Sequence, residues 1–211
     1  MVWISIEGSI GSGKTTIINK LYNDYSSSIY GVFREPVEVW KPYLDNFYAE
    51  YNPQAIIDFK SNAMLLQLRI NTSFSQIFKN FENKKVVITE RSSYSAINIF
   101  SKILVDQGTF TSLNVDLLKE NINLVQTYEP DYFIYLKTDH RKCYDRIIQR
   151  GDKPIDINYL EKLNYHHDQV FLNNNKVFVV ETSDKDIENV EKEIINIIRF
   201  INRSEFNFVR N

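Results

Sequence analysis

The feature of this sequence that most restricts its fold is a glycine-rich segment near the N-terminus, enclosed by two different hydrophobic patterns. Before it lies Val2–Glu7, a run rich in β-branched residues that predicts a buried strand. After it, apolar residues recur at helical spacing and predict a helix over residues 14–23. The segment between them reads Gly8-Ser9-Ile10-Gly11-Ser12-Gly13-Lys14-Thr15. A strand, a tight glycine turn and a helix in this order are typical of a phosphate-binding loop, or P-loop.

The residue types of this segment suit the phosphates of a nucleotide. Glycines let backbone N–H groups approach phosphate oxygens, and the helix N-terminus adds partial positive charge. Lys14 can reach the terminal phosphates, and the Thr15 hydroxyl can ligate Mg²⁺. We therefore assign the binding of ATP, with Mg²⁺, to a continuous run of residues: Gly8, Ser9, Ile10, Gly11, Ser12, Gly13, Lys14, Thr15 and Thr16. The motif alone does not identify the molecule that receives the phosphate.

Short β-rich runs alternate with longer amphipathic stretches along the rest of the chain. The predicted strands are 2–7, 32–34, 86–89, 131–136 and 176–180, and the predicted helices are 14–23, two within 40–82, 92–105, 113–128, 139–149, 159–171 and 187–201. Nearly continuous apolar strands separated by helices predict an α/β fold with a five-stranded parallel sheet that helices flank. We predict one domain over residues 1–211, with a short lid at about 150–157 and a loose tail at about 203–211.

Charge, cysteine content and hydropathy limit the partners and the compartment. The 25 basic and 27 acidic residues give a net charge of −2, which disfavours a broadly basic nucleic-acid-binding surface. No apolar run approaches the ~20 residues that cross a bilayer, and the first residues do not form a secretion signal. The single cysteine, Cys143, excludes an intramolecular disulfide framework. We expect no nucleic-acid or membrane partner and a reducing compartment, which is the cytoplasm by default.

Charged residues follow two further predicted strands. Glu35 comes after the second strand, and Glu90 and Arg91 come after the third. Because ligands bind beyond the carboxyl ends of parallel strands, we expect these side chains to face the same crevice as the phosphate-binding loop. There Glu35 can accept a hydroxyl proton during phosphoryl transfer, Glu90 can hold Mg²⁺, and Arg91 can pair with Glu35. Taken alone, Glu35 is equally well explained as a charge on a surface loop, and a surface ion pair is the alternative for Glu90 and Arg91.

Arginines also mark the helix predicted over residues 139–149. It carries Arg141 and Arg146, and Arg150 follows just before a break at Gly151. Arg146 and Arg150 are four residues apart and share one helix face. We predict that these two guanidinium groups belong to a lid that closes over the donor and stabilises the transferring phosphoryl group. A solvated basic face is the alternative, above all for Arg141.

The ordered set of segments resembles the deoxynucleoside kinase family, which includes deoxycytidine, deoxyguanosine and mitochondrial-type thymidine kinases. The similar segments are 8–16, 35–40, 90–96, 146–151 and 159–163, within a resemblance that runs from residue 1 to about residue 172. The resemblance implies a P-loop kinase fold, usually as a homodimer packed through helices, and phosphorylation of the 5′-hydroxyl of a deoxynucleoside. It implies Glu35 as the general base, Arg91 as the arginine that holds it, and Glu90 as the carboxylate on the Mg²⁺ side.

The resemblance also implies a pocket for the nucleobase. Gln67 resembles the glutamine that makes two hydrogen bonds to the base edge, a task that suits an amide because it carries a donor beside an acceptor. Trp40, Phe74 and Phe100 resemble the aromatic walls of that pocket. Tyr48 resembles the residue that contacts the 3′-hydroxyl of the sugar.

The sequence departs from the family pattern in the base pocket and in the lid. Ala96 stands where deoxycytidine-preferring and purine-preferring members carry an aspartate, and Phe74 stands where they carry the arginine that pairs with it. Apolar surface in place of this charged pair leaves room for a 5-methyl group, so we predict thymidine as the substrate, with deoxycytidine or deoxyuridine as secondary ones. The lid is short, and Asp152 stands where a further arginine is common.

Two other functions remain open from the sequence. A thymidylate kinase also has a P-loop and a triplet like Arg34-Glu35-Pro36, but the glycines expected after the proline are missing here. The other alternative is a P-loop switch that hydrolyses nucleotide slowly and signals by binding. The Asn/Thr-Lys-x-Asp run that usually reads the base in GTPase switches does not occur in this sequence.

Overall fold

The computed structural model describes residues 1–25, 30–49, 56–81, 83–125, 129–152 and 155–207. Packing divides the chain into two compact units. The sheet unit consists of Met1–Phe33, Lys84–Glu90 and Pro130–Asn211, and the helical unit consists of Arg34–Asn83 and Arg91–Glu129. The prediction of a single domain over the whole chain stays a prediction.

The sheet unit contains the five strands that the sequence predicts. They are β1 (Val2–Glu7), β2 (Tyr30–Phe33), β3 (Val86–Glu90), β4 (Tyr132–Lys137) and β5 (Val177–Glu181). The strand order is β2-β3-β1-β4-β5, and every neighbouring pair is parallel. All six residues of the central strand β1 are buried, Ser5 and Glu7 included, as expected for a parallel strand covered on both faces. The predicted parallel sheet is confirmed.

The helices that follow complete each unit. In the sheet unit they are α1 (Lys14–Tyr25), α7 (His140–Gln149), α8 (Ile157–Phe171) and α9 (Ile187–Asn207); in the helical unit they are α2 (Val37–Ala49), α3 (Ile56–Phe81), α4 (Ser93–Ser95), a π-helix (Ala96–Ser101), α5 (Lys102–Asp106) and α6 (Ser112–Val125). None of the helices that the structure describes is both long enough and apolar enough to cross a bilayer.

The sheet unit is held together by aliphatic side chains from the sheet, α1 and α9. Ile4 and Ile6 of β1 pack with Ile17 of α1 and Ile194 of α9 in one buried cluster. Asp139 and Asp156 cap the first turns of α7 and α8, because their carboxylates accept backbone N–H groups of Arg141 and Asn158. The aliphatic cluster and the helix caps together hold the carboxyl ends of the strands in place, and the loops of the sheet unit extend from these ends.

Two predictions about helix boundaries are wrong. The helix α9 continues to Asn207, so the tail predicted to begin at 203 is helical through its first five residues, and 208–211 lie outside the described residues. The helix predicted over 92–105 is interrupted, because Ala96–Ser101 forms a π-helix between two short α-helices. The hydroxyl of Ser101 donates to the carbonyl of Ala96 at 3.0 Å inside this widened turn. Such turns often occur at functional sites and leave no periodic signal in a sequence.

Candidate active site

The glycine-rich loop between β1 and α1 has a backbone that only glycine tolerates. Gly8, Gly11 and Gly13 have φ values of 148°, 84° and 98°. A Cβ atom at Gly11 would lie 2.5 Å from the carbonyl oxygen of Cys143, which is too close for any side chain. Ser12 N–H donates back to the Ser9 carbonyl at 3.2 Å and closes the turn. The loop therefore has the close-packed backbone that a phosphate-binding cradle requires.

The side chains of this loop also fit an anionic ligand. The ammonium of Lys14 donates to the Ser9 carbonyl at 2.7 Å and lies 3.4 Å from the Ser12 hydroxyl, although only 4% of the residue is exposed. The Ser9 hydroxyl is buried and has no hydrogen-bond partner among the described residues. A buried cation beside a hydroxyl without an acceptor suits a phosphate group, which supplies negative oxygens to both.

Oxygen atoms suited to a hard cation meet at the start of α1. The Thr15 hydroxyl donates to a carboxylate oxygen of Glu90 at 2.5 Å, and only 3% of Glu90 is exposed. The sheet register explains this contact, because Glu90 ends β3 directly beside Ile6 of β1. Within the described ranges no three His, Cys, Asp or Glu side chains form a cluster able to hold a metal ion. One carboxylate and one hydroxyl fit Mg²⁺, which keeps several waters and takes its remaining ligands from phosphates.

A cavity of about 320 Å³ lies beside the loop within the sheet unit. Arg146 lines it and is fixed there, because its guanidinium donates to the Thr182 carbonyl at 2.8 Å and lies 3.5 Å from the Ser12 carbonyl. The other lining residues come from the loop, α1, the β5–α9 connection and the start of α9: Ser12, Gly13, Thr16, Ile17, Thr182, Lys185, Ile187 and Val190. The sequence did not indicate five of these residues as part of a site: Ile17, Thr182, Lys185, Ile187 and Val190. Thr182 directly follows β5, so the strand-end rule that indicated Glu35 and Glu90 would have found it.

The other two arginines of the predicted lid are more exposed than Arg146. Arg150 ends α7 and pairs with Asp152 at 2.6 Å, and about half of each side chain is exposed. Arg141 is exposed in the first turn of α7. Two residues of the predicted lid, Lys153 and Pro154, lie outside the described residues. The roles predicted for Arg146 and Arg150 remain predictions.

A largely buried ion pair marks the helical unit. Arg91 donates to a carboxylate oxygen of Glu35 at 2.7 Å, and their side chains are only 11% and 12% exposed. The guanidinium carbon lies 5.3 Å from the centre of the Phe100 ring, a cation–π distance. Arg91 has a φ of 58°, a left-handed backbone that is unusual for arginine and often occurs at functional sites. The predicted pairing of Arg91 with Glu35 is present in the structure.

Aromatic and amide side chains gather on α3 and the elements that pack against it. Trp40 of α2 donates its indole N–H to Ser73 at 2.9 Å, and its ring lies 6.1 Å from that of Phe74. Gln67, Phe74 and Ala96 are each at most 4% exposed, and α3 packs against the π-helix that begins at Ala96. These three side chains are therefore buried, and their place in a base pocket stays a prediction. The side chain of Tyr48 is outside the described part of the structure.

The parallel sheet and the glycine-rich cradle with its lysine define a P-loop kinase. A sequence model described as deoxynucleoside kinase matches residues 4–204, and the chain belongs to this family. Its relatives include FPV151 of Fowlpox virus, named "Probable deoxycytidine kinase", which is 33% identical over 82% of this chain and 73% of its own length. Deoxycytidine kinase of Mus musculus is 30% identical over 80% of this chain and 75% of its own length.

A solved structure shows the same fold. Deoxyadenosine kinase from M. mycoides with the products dCMP and dCDP bound superposes with a TM-score of 0.75 and 24% identity, over 94% of this chain and 99% of that one. The match of the family model to residues 4–204 makes the chain an enzyme of the deoxynucleoside kinase class.

Proposed function

We propose that this enzyme transfers the terminal phosphate of ATP to the 5′-hydroxyl of a pyrimidine deoxynucleoside, with thymidine preferred. The observation that carries the proposal is the largely buried Glu35–Arg91 pair, with a carboxylate oxygen and a guanidinium nitrogen 2.7 Å apart. A buried carboxylate suits the removal of a proton from an alcohol, because it accepts that proton without competition from bulk water. The arginine holds the carboxylate in one orientation and offers further N–H groups to the reacting oxygen.

In the proposed reaction Glu35 accepts the proton of the 5′-hydroxyl. The 5′-oxygen forms a bond to the terminal phosphorus, and the bond from that phosphorus to the bridging oxygen breaks, leaving ADP. Lys14 stabilises the negative charge on the phosphate oxygens. Thr15 and Glu90 would hold Mg²⁺, which when bound neutralises phosphate charge. Arg150, at the end of α7, supplies a further guanidinium to the phosphates when the lid closes.

The cavity beside the loop suits the base of the donor nucleotide. Arg146 offers a planar cation that stacks on an aromatic ring, and Ile17, Ile187 and Val190 offer apolar surface. Its volume of about 320 Å³ is at the lower end of small-molecule sites, which matches one base. We propose this role for Arg146 in addition to a contact with the phosphates.

The preference for thymidine follows from two apolar residues in the predicted base pocket. Phe74 and Ala96 are 1% and 3% exposed, and neither carries a group that reads an amino substituent. Burying the 5-methyl group of thymine against such surface is worth about 1 kcal/mol, or a factor of about five in specificity. The relatives named as deoxycytidine kinases make deoxycytidine the main competing substrate.

The deciding experiment is a substrate panel with ATP and Mg²⁺, in which the position of the new phosphate is identified for each product. We expect 5′-monophosphates, with kcat/KM highest for thymidine, lower for deoxycytidine and deoxyuridine, and lowest for the purine deoxynucleosides. A strong purine preference would contradict the pocket argument. Phosphorylation of thymidine monophosphate in place of thymidine would support a thymidylate kinase, and ATP hydrolysis without nucleoside stimulation would support a nucleotide switch.

We further propose that the enzyme acts as a homodimer. Leu113, Leu117 and Leu124 share one face of α6, and they are 77%, 52% and 82% exposed. Three exposed leucines on one helix face are typical of a surface that another chain covers. Sedimentation of the wild-type chain should give twice the monomer mass, and Leu117→Glu combined with Leu124→Glu should give the monomer. A monomeric wild-type chain at micromolar concentration would contradict this proposal.

We place the activity in a reducing compartment such as the cytoplasm. The supporting observation is that the sequence holds one cysteine, Cys143, so no intramolecular disulfide can form, and this thiol is buried. Burial raises the pKa of its thiol to about 11, so the reactive thiolate is scarce at neutral pH.

A further inference from the structure

Two buried hydroxyl groups join the ends of β4 and β5 in the sheet unit. Thr138 directly follows β4 and Thr182 directly follows β5, and their hydroxyl oxygens lie 2.5 Å apart. The two residues are only 3% and 2% exposed, so bulk water does not compete for this hydrogen bond. Ligands of parallel sheets bind beyond the carboxyl ends of the strands, so the bond joins two loops that border such a site.

The donor and the acceptor of this bond follow from the other contacts of Thr182. The Thr182 hydroxyl donates to the Lys137 carbonyl at 3.3 Å, and a hydroxyl has only one hydrogen to donate. The Thr138 hydroxyl is therefore the donor to Thr182. The backbone N–H of Thr182 also donates to the Lys137 carbonyl, at 2.9 Å. Thr182 is thus held by its backbone and by its side chain, and the position of its hydroxyl depends on Thr138.

The peptide that follows carries the contact with Arg146. The carbonyl of Thr182 accepts from the guanidinium of Arg146 at 2.8 Å. Ser183, on the other side of this peptide bond, is also held, because its hydroxyl accepts from the backbone N–H of Asp139 at 2.9 Å. Both ends of the peptide are therefore attached to the connection between β4 and α7. Because the N–H groups of a guanidinium lie in one plane, a carbonyl with a fixed direction also fixes that plane.

We propose that Thr138 is a positioning residue for the donor site, because its hydroxyl holds Thr182 and the Thr182 carbonyl orients Arg146. This inference rests on the proposed function, in which Arg146 stacks on the base of the donor nucleotide. Arg146 and Thr182 line the cavity, whereas Thr138 is not among its described lining residues. Thr138 therefore acts on the donor through these two residues and not by contact. Since stacking is favoured by a plane that is fixed beforehand, loss of the Thr138 hydroxyl weakens the binding of ATP.

The first test replaces Thr138 by valine, which keeps the shape of the side chain and removes the hydroxyl. Thr138→Val should raise the KM for ATP about three- to tenfold, the usual effect of one lost hydrogen bond, while the KM for thymidine changes less than about twofold. Thr138→Ser keeps the hydroxyl and should bring the KM for ATP back to within about twofold of the wild type. Equal impairment in the serine and valine variants would mean that packing, and not the hydroxyl, matters, and would overturn the proposal.

The matched control is Thr89→Val in the same unit. Thr89 is fully buried and its hydroxyl accepts from the indole N–H of Trp3 at 2.9 Å. Both valine variants therefore lose one buried hydroxyl and should lose a similar amount of stability. Thr89→Val should leave the KM for ATP unchanged. A rise of this KM in both variants would mean that lost stability causes it, which contradicts a positioning role for Thr138.

A double-mutant cycle with Arg146 tests the path of the effect. Arg146→Met removes the guanidinium and should itself raise the KM for ATP. In that background Thr138→Val should change the KM for ATP less than about twofold, because the group that Thr138 positions is gone. If Thr138→Val has the same effect with and without the guanidinium, Thr138 does not act through Arg146 and the proposal is wrong.

The failure of this inference is distinct from a failure of the proposed function. If Arg146→Met leaves the KM for ATP unchanged, the role proposed for Arg146 is wrong and the inference fails with it. If Arg146→Met raises that KM and Thr138→Val does not, only the positioning role of Thr138 is refuted. A chain that phosphorylates no deoxynucleoside would refute the proposed function as a whole.

A second variant tests the same peptide if Thr138→Val does not fold. Ser183→Ala removes the other hydrogen bond that holds this peptide, in a half-buried side chain where the substitution disturbs the core less. It should raise the KM for ATP about two- to fivefold in the wild-type background and leave it unchanged in Arg146→Met. An unchanged KM for ATP in the wild-type background would contradict the proposal.

Discussion

The ligand sites proposed in the two units are built by different means. In the sheet unit the proposed phosphate site is made largely of backbone, in a loop of consecutive residues whose conformation depends on glycines such as Gly11, with a φ of 84°. In the helical unit the proposed nucleoside site is made of side chains from α2, α3 and the π-helix, together with the Glu35–Arg91 pair. All nucleotide donors carry the same phosphate groups, so one backbone shape is sufficient to bind them. A base must be distinguished from others, which requires side chains from several elements.

The largest expected effect is a loss of turnover when the proposed general base of the helical unit is changed. Glu35→Gln keeps the side-chain shape and an oxygen for Arg91 but cannot accept the proton. We expect kcat to fall by about 10²–10⁴, the usual range for a general base, with little change in the dissociation constant for the nucleoside. Steady-state kinetics and calorimetric binding measure the two quantities.

The control for this change is Glu38→Gln, an exposed carboxylate in the first turn of α2. It should leave kcat within about twofold of the wild type, as surface substitutions usually do. Near-wild-type turnover in Glu35→Gln would remove Glu35 from the role of base. The chemistry of the helical unit would then need another acceptor for the proton.

The next largest effect is a loss of stability when glycines of the phosphate-binding loop in the sheet unit are changed. Gly11→Ala forces a left-handed backbone on alanine and places its Cβ 2.5 Å from the carbonyl oxygen of Cys143. We expect a loss of about 2–4 kcal/mol in unfolding free energy, from the backbone strain and the overpacking together. Gly13→Ala has a φ of 98° but no atom within 4 Å of the added Cβ, so it should lose only about 1–2 kcal/mol. Urea unfolding of both variants measures the difference, and equal losses would refute the packing argument.

A smaller effect compares two buried indoles, one in each unit. Trp3 donates to Thr89 at 2.9 Å in the sheet unit, and Trp40 donates to Ser73 at 2.9 Å in the helical unit. Thr89→Val and Ser73→Ala each leave an indole N–H without this acceptor, so each should cost about 1–2 kcal/mol of stability.

These two variants should differ in kinetics. Because Trp40 is a proposed wall of the base pocket, Ser73→Ala should raise the KM for thymidine by about two- to tenfold, while Thr89→Val should leave it unchanged. The KM for ATP should stay constant in Ser73→Ala. A rise in the thymidine KM in both variants would mean that loss of stability, and not the wall of the pocket, causes the change.

The smallest effects concern ion pairs. Lys102 and Asp106 form an exposed pair on α5 at 2.6 Å, and Lys102→Ala should cost only about 0.3–0.5 kcal/mol. Lys20 pairs with Glu191 at 2.7 Å, where the glutamate is 14% exposed, and Lys20→Ala should cost up to about 1 kcal/mol. In 0.5 M salt the unfolding midpoint of Lys102→Ala should equal that of the wild type, because salt screens the exposed pair. The midpoint of Lys20→Ala should keep most of its difference from the wild type. Complete loss of both effects in salt would contradict the difference in burial.

The sequence by itself determined the sheet unit in most respects. The strands were predictable as apolar runs because helices cover both faces of the sheet. The phosphate-binding loop was predictable as a motif because consecutive residues form it. The Glu35–Arg91 pair was predicted because each residue follows a strand of one parallel sheet. These inferences succeed because they depend on local chemistry and on one topological rule.

Only the tertiary structure decided the finer geometry. The π-helix at Ala96–Ser101 arises where a helix accommodates one extra residue, and the spacing of hydrophobic residues does not predict it. The fixing of Arg146 by the Thr182 carbonyl joins residues 36 positions apart, and a backbone carbonyl has no sequence signature. The burial of Asn71, whose amide atoms have no partner among the described residues, could not be predicted from the sequence, because it depends on what packs around α3.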